Sequence, residues 1–441
     1  MSIPRPRPWS EWRTRGPAVV LVAAAAAAYG AFVHQFSVNV PFQDEWAMVI
    51  IYRLTVQGRL TLTALWTQHN ENRMLFPQLL MLGLDRLSHF NTQVEIYTSA
   101  ALLIVAVAAL ALLYSRSVGG SWLWFVPGAF VLFSWLQYAV ALQGFAVALY
   151  LILLCLVVSL MALAAAERRP WLLVLAVAAA TVASYSSTQG LAIWAAGLVF
   201  LLVRRRPARQ LWVWLVSACV ISAIYWIGFI WVDTGGGVRW AVANPGPSLN
   251  YFYLLAGGTV PTSQTLHFGA TDQTVVGAGI LLFGLAAFGY WIWRRQSSEW
   301  LAVPLALIGF GALIDFLITI GRAHLGIQTA TSSRYTLFNL WLLAGVWLAW
   351  AAIASRSGLR VTRAVAVVLA VLCVVQIVGS YHSGLIEGRL TRAQREQAVT
   401  MVRHYQTAPE SQVVPLVYQL YPEFKPLAAF LAAHHLSVFY R

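Results

Sequence analysis

The chain has 441 residues, 60% of them hydrophobic and only 10% charged, with a mean hydropathy of +0.70. So apolar a composition excludes a soluble globular domain and defines a polytopic membrane protein built from helical spans. The formal net charge of +14 is scattered between apolar runs as topology signal and lipid-surface contact, which excludes a nucleic-acid-binding role that would need a soluble basic face.

In chain order, apolar runs predict about eleven spans, near 17–37, 95–114, 118–136, 144–166, 170–188, 189–203, 211–232, 273–293, 300–320, 335–354 and 361–381. Most have the roughly 20 residues a helix needs to cross about 30 Å of hydrocarbon. The sixth is short, and the polar turn Ser184–Gly190 blurs its boundary with the fifth. Arg5, Arg7, Arg13 and Arg15 precede the first span. Arg116, Arg168 and Arg169, Arg204 to Arg206 with Arg209, Arg294 and Arg295, and Arg356 with Arg360 and Arg363 then recur in every second loop. Basic loops stay in the cytoplasm, so the N-terminus is cytoplasmic and an odd number of spans puts the chain after 381 on the outer face. The arginine-rich start followed by an alanine run reads as a retained signal-anchor. Cys155, Cys219 and Cys373 all fall within spans as small hydrophobes, and no disulfide or zinc site is suggested. Lys425 is the only lysine, a codon bias that points to a GC-rich bacterial genome. The expected division is a membrane module over 1–381, with a first outer loop over 38–94, and a short outer segment over 382–441.

On this topology the carboxylates separate by side. Glu11, Glu167 and Glu299 fall inside, whereas Asp44, Glu45, Glu71, Asp85, Glu95, Asp233, Asp272, Glu387, Glu396, Glu410 and Glu423 fall outside. The first outer loop is too long for a mere connector. It carries PFQDEW directly after the first span, a helical stretch WAMVIIYRLTVQG, the polar cluster TQHNENR and a leucine-rich helix, FPQLLMLGLDRL, too short to span and suited to the membrane surface. A second outer loop, about 233–272, is rich in glycine and proline and suits a segment that closes over a substrate. The last carries Arg322, His324 and Arg334.

Asp44 and Glu45 are the candidate catalytic pair: one carboxylate takes the proton of an acceptor hydroxyl while the other orients the acceptor or a divalent cation, Mg or Mn. The same two residues also suit a helix start, with Asp44 as N-cap and Glu45 in the first turn. Arg322 and Arg334 have the planar fork that suits phosphate oxygens, and Asp315, near the outer end of its span, is placed to pair with one of them. His69, Glu71 and Arg73 are candidates for a phosphate contact, with Asp44 and Glu71 as candidate metal ligands. Gln143, Gln137 and Gln189 put amides at span ends, where they suit either sugar hydroxyls or helix-to-helix hydrogen bonds.

PFQDEW after span one, the QHNENR cluster, the short FSWLQYAVALQGF loop and the SSRY segment together resemble the GT-C superfamily of polyprenyl-phosphate-sugar-dependent glycosyltransferases, in particular its bacterial RgtA/B/C/D-like and mannosyltransferase-like groups. The resemblance covers about 1–380 and differs in having only about 60 residues where many members carry a folded outer C-terminal domain. It implies a GT-C-like bundle in a bacterial inner membrane, a polyprenyl-phosphate-linked sugar as donor and a glycan, lipid or protein acceptor on the outer face. It also implies inverting transfer with Asp44 as base and Arg322 and Arg334 at the leaving phosphate. The rival readings are a transporter or flippase for a lipid-linked glycan, and a non-catalytic subunit of an envelope-assembly complex.

Overall fold

The computed structural model describes residues 8–118, 121–231, 235–261, 269–294, 298–417 and 422–440. Arg5, Arg7, Asp233 and Arg295 lie outside the described residues, and at Glu11 and Arg13 only the helical backbone is described. The chain begins with α1 (Pro8–Phe36) and then folds three short helices, α2 (Glu45–Val56), α3 (Leu62–Trp66) and α4 (Leu75–Ser88), before α5 (Thr92–Ser117) enters the bundle. The third apolar run is broken into α6 (Phe125–Leu132) and the single turn α7 (Tyr138–Ala141). There follow α8 (Val147–Ala165), α9 (Leu172–Ser184), α10 (Ala192–Val203), α11 (Ala208–Trp226), α12 (Val238–Ala243) and α13 (Pro245–Ala256). The remainder is α14 (Ala270–Trp293), α15 (Ala302–Arg322), α16 (Ser333–Ser357), α17 (Arg360–Arg403), α18 (Glu410–Val417) and α19 (Phe424–Ala433).

Among the described residues nine helical segments are long and apolar enough to cross a membrane. The other two predicted spans, Leu172–Ser184 and Thr188–Val203, fall short. Thirteen residues of α9 make about 20 Å of helix, well under the thickness of the hydrocarbon. The turn between α9 and α10 is thus set down inside the bundle, where it forms a floor for the site described below. Helix α16 is the axis, with every residue from Thr336 to Ile353 buried. It packs closely on α15 because Gly311 and Gly345 leave room: a Cβ on Gly345 would lie 3.0 Å from the Ile308 amide nitrogen.

The arginine loops meet at one pole. Arg204 bridges Glu167 and Glu299, Arg356 stacks on Trp300 and bonds the Val118 carbonyl, and Arg15 lies over Trp122. This is the alternation the sequence predicts.

The opposite pole carries a second core. Val40, Phe42, Trp46 and Val49 of the first loop pack with Ala398 and Val402 of α17, Val413 of α18 and Leu427 of α19. The boundary expected at 381 falls inside α17, which runs on unbroken to Arg403. Nothing between Gly388 and Pro409 interrupts it, since LTRAQREQAVTMVRHYQTA holds neither proline nor glycine. The chain end returns to α4: Ser437 N–H donates to the His89 carbonyl at 2.8 Å and Tyr440 stacks on His89. Helix α4 packs into this layer through Met81 and Asp85, while its Leu79 and Leu87 stay exposed.

Candidate active site

The turn from Phe42 to Trp46 gives its two carboxylates opposite environments. Asp44 occupies the position before α2, yet its side chain makes no capping bond. It turns away instead, 41% exposed, with Oδ1 3.3 Å from His69 Nε2. The helix start is served by Glu45, whose Oε2 accepts the Phe42 N–H at 2.8 Å. Glu45 is only 2% exposed. Its Oε1 accepts the N–H groups of Gly144 at 2.5 Å and Phe145 at 3.2 Å, which staples PFQDEW to the ALQGF turn ahead of α8. Burial pushes the Glu45 carboxyl above the ordinary carboxylate range, against the pull of Arg395 and those three N–H groups. Gly144 leaves the space these carboxylates occupy, since a Cβ there would meet Glu95 Oε2 and come within 3.0 Å of Glu45 Oε1 and of the Glu95 Cβ.

Beneath that staple lies a feature the sequence reading did not single out. Asp85, at the end of α4, is wholly buried, and burial followed by the charge of Glu45 pushes its carboxyl up to about 8. Three acidic side chains from α2, α4 and α5 thus converge in the wall behind the site.

The polar cluster after α3 fixes the other wall. His69 and Asn72 pair their backbones across a tight turn at 2.8 and 2.9 Å. The Asn72 amide oxygen accepts Ser187 Oγ at 2.7 Å and the Thr188 N–H at 3.0 Å, which ties the cluster to the floor turn. Gln68 clamps the backbone of Ile230 through both its amide atoms, at 2.8 and 2.9 Å. Glu71 Oε1 receives Arg322 Nη2 at 2.6 Å.

These walls enclose a cavity of about 680 Å³. Of the residues expected at the site, Asp44, Glu71, Gln143, Gln189, Arg322 and Arg334 line it. His69 stands behind Asp44, with its ring against Phe145 at 5.1 Å. Glu45 and Arg73 are not among the lining residues. Arg73 is buried and donates to the carbonyls of Trp66, Tyr225 and Ile227 at 2.6, 2.7 and 2.5 Å, so it holds the loop to the end of α11. Gln137 likewise donates to the Leu132 and Ser134 carbonyls and mends the break in the third span. Asp315 does not pair with either arginine: it is fully buried and neither of its oxygens has a hydrogen-bond partner.

Tyr138, Thr391, Gln394 and Arg395 also line the cavity, and sequence reasoning missed all four. The last three come from the extension of α17, whose i, i+3, i+4 spacing puts them on one helical face. Among the described residues no group of three or more His, Cys, Asp or Glu side chains is arranged to hold a metal ion. Glu71 spends one of its oxygens on Arg322.

The described residues thus define an all-α membrane protein with a cavity at one pole lined by both charged and apolar residues. No family model and no curated protein matches the sequence. Among solved structures the chain is similar to the crystal structure of ArnT from Cupriavidus metallidurans bound to undecaprenyl phosphate. The TM-score is 0.41 and the identity 17%, over 95% of this chain and 77% of that one. Against the same protein in the apo state the TM-score is 0.34 and the identity 14%, over 77% and 78%. Likenesses this remote carry nothing about residue roles, which rest on the geometry of this chain.

Proposed function

We propose that the protein is a membrane glycosyltransferase of the GT-C class, which moves a sugar from a polyprenyl-phosphate donor to an envelope glycan, lipid or protein acceptor. What supports the reading is one juxtaposition. A carboxylate not used as a helix cap, Asp44, and two arginines, Arg322 and Arg334, face the same cavity, part of whose wall is the apolar set Val140, Leu149, Leu317 and Ile318.

In this reading Asp44 takes the proton of the acceptor hydroxyl as that oxygen bonds to the anomeric carbon. The bond from that carbon to the phosphate oxygen breaks, its electron pair leaves on the phosphate, and Arg322 and Arg334 hold the charge. Attack from the face opposite the leaving group inverts the anomeric configuration. His69 keeps Asp44 turned to the cavity, and Glu71 holds the Arg322 fork in place. Gln143 and Gln189 offer amides to sugar hydroxyls, and the apolar wall receives the start of the lipid chain. By the positive-inside rule the arginine pole faces the cytoplasm of a bacterial inner membrane and the cavity faces the outer side.

The test is reconstitution of the purified protein in liposomes with radiolabelled polyprenyl-phosphate sugars extracted from the producing cells. Transfer predicts protein-dependent release of free polyprenyl phosphate and a product of inverted configuration. Movement of intact lipid-linked sugar across the liposome membrane, with none released, would put the flippase reading ahead.

A further inference from the structure

The extension of α17 reaches the cavity with a buried charge. Arg395 is 6% exposed, lines the cavity beside Thr391 and Gln394, and sets its guanidinium carbon 3.3 Å from the centre of the Phe42 ring. The helix that carries it is itself anchored: Arg392 donates to the Gln35 carbonyl at the end of α1 at 2.7 Å and pairs with Glu396 at 2.8 Å. Further along the chain the same C-terminal segment grips the turn twice more. Gln43 N–H donates to the Leu416 carbonyl at 2.6 Å, and Trp46 packs edge-on against Phe424. Phe42, Gln43 and Trp46 are thus gripped from residues 395–424, while Glu45 is fastened to the bundle at Gly144 and Phe145.

We propose that Arg395 is a positioning residue: it fixes the segment Phe42–Asp44 against the cavity, and through it the C-terminal segment becomes part of the transfer machinery. The guanidinium suits the task because its flat, permanently charged face stacks on a ring while its rim remains polar toward the cavity. A lysine keeps the charge and loses the face. The catalytic part of this inference rests on the reading of Asp44 given above; the placement of the segment does not.

The two parts separate experimentally. With the lipid-linked sugar as donor, Arg395→Met and Arg395→Lys should each lower kcat about tenfold or more and leave the donor KM within about twofold, as expected when orientation rather than donor binding is lost. A donor KM raised severalfold at unchanged kcat, with activity kept by the lysine, would make Arg395 a phosphate ligand and overturn the proposal. The second measurement needs no activity. Gln43→Cys is introduced together with Cys219→Ala, which removes the one exposed native thiol, since Cys155 and Cys373 are buried. Its reaction with a water-soluble maleimide is timed with Arg395 and with Arg395→Met in monodisperse protein. Labelling should be about tenfold faster in the methionine background. Equal rates would overturn the positioning role even if transfer is confirmed, and faster labelling would uphold it even if the transferase reading failed.

Discussion

Both poles of the molecule gather arginines, and the two sets are used differently. At the pole of the short loops Arg204 and Arg206 share Glu167, Arg206 also donates to the Leu163 and Ala164 carbonyls, and Arg356 lies on Trp300. Those cations finish helix ends. At the other pole Arg322 and Arg334 stand in the same cavity wall as Asp44 and Glu71. Arginine content alone therefore marks neither pole as functional. What separates them is that the second set shares a water-accessible space with a carboxylate released from structural duty.

The contrast can be broken most sharply at the arginines. Arg322→Lys or Arg334→Lys should lower transfer about tenfold or more, at least about 1.4 kcal/mol in the barrier, because lysine keeps the charge but not the fork. Arg356→Lys, at the other pole, should leave kcat within about twofold. Equal effects at the two poles in steady-state transfer would mean that all these arginines act through folding alone.

A smaller, structural effect belongs to Glu45. Glu45→Gln replaces one of two buried acceptor oxygens with a donor facing backbone N–H groups, so stability should fall by about 1–3 kcal/mol, the cost of leaving a buried group unsatisfied. Thermal unfolding in detergent measures it, and an unchanged Tm would show that the staple to Gly144 and Phe145 does not hold the turn.

The smallest effect is in pH. The buried Asp85 carboxyl is raised from 3.8 to about 8, so the folded chain keeps a proton that the unfolded chain releases. That contribution to stability is complete below about pH 4 and is lost as the pH climbs through about 8. Unfolding temperatures should therefore decline from pH 6 to pH 9, and Asp85→Asn, which is neutral at every pH, should flatten the decline. A slope identical to the wild type would remove Asp85 as its source.

The sequence made some of this plain and hid the rest for physical reasons. The apolar runs and the arginine alternation read directly because hydrocarbon thickness and loop charge act on local composition, and among the described residues helices lie in the expected runs, nine of them long enough to span. Two of the runs fail as full spans because Ser184–Gly190 turns early to meet Asn72, a contact more than a hundred residues away in the chain. PFQDEW, TQHNENR and the 322–334 loop stood out by polarity against an apolar background, and the cavity brings residues of all three together. Adjacent in sequence, Asp44 and Glu45 could not be told apart, because what separates them is Gly144, about a hundred residues on. Arg395 was hidden by being counted with a tail. The absence of helix breakers after Gly388 was the available signal that α17 continues, and continuation alone would have carried its polar face back over the first loop.

The central claim, that Asp44 is the base and Glu45 its support, is tested most directly by Asp44→Asn measured beside Glu45→Gln for both transfer rate and Tm. Because Asp44 makes no capping bond, asparagine there should leave Tm within about a degree while transfer falls about a hundredfold or more, the scale of general-base catalysis. Glu45→Gln should show the reverse weighting, with Tm lowered and transfer reduced only as far as the folded fraction falls. Wild-type transfer by folded Asp44→Asn protein would contradict the account.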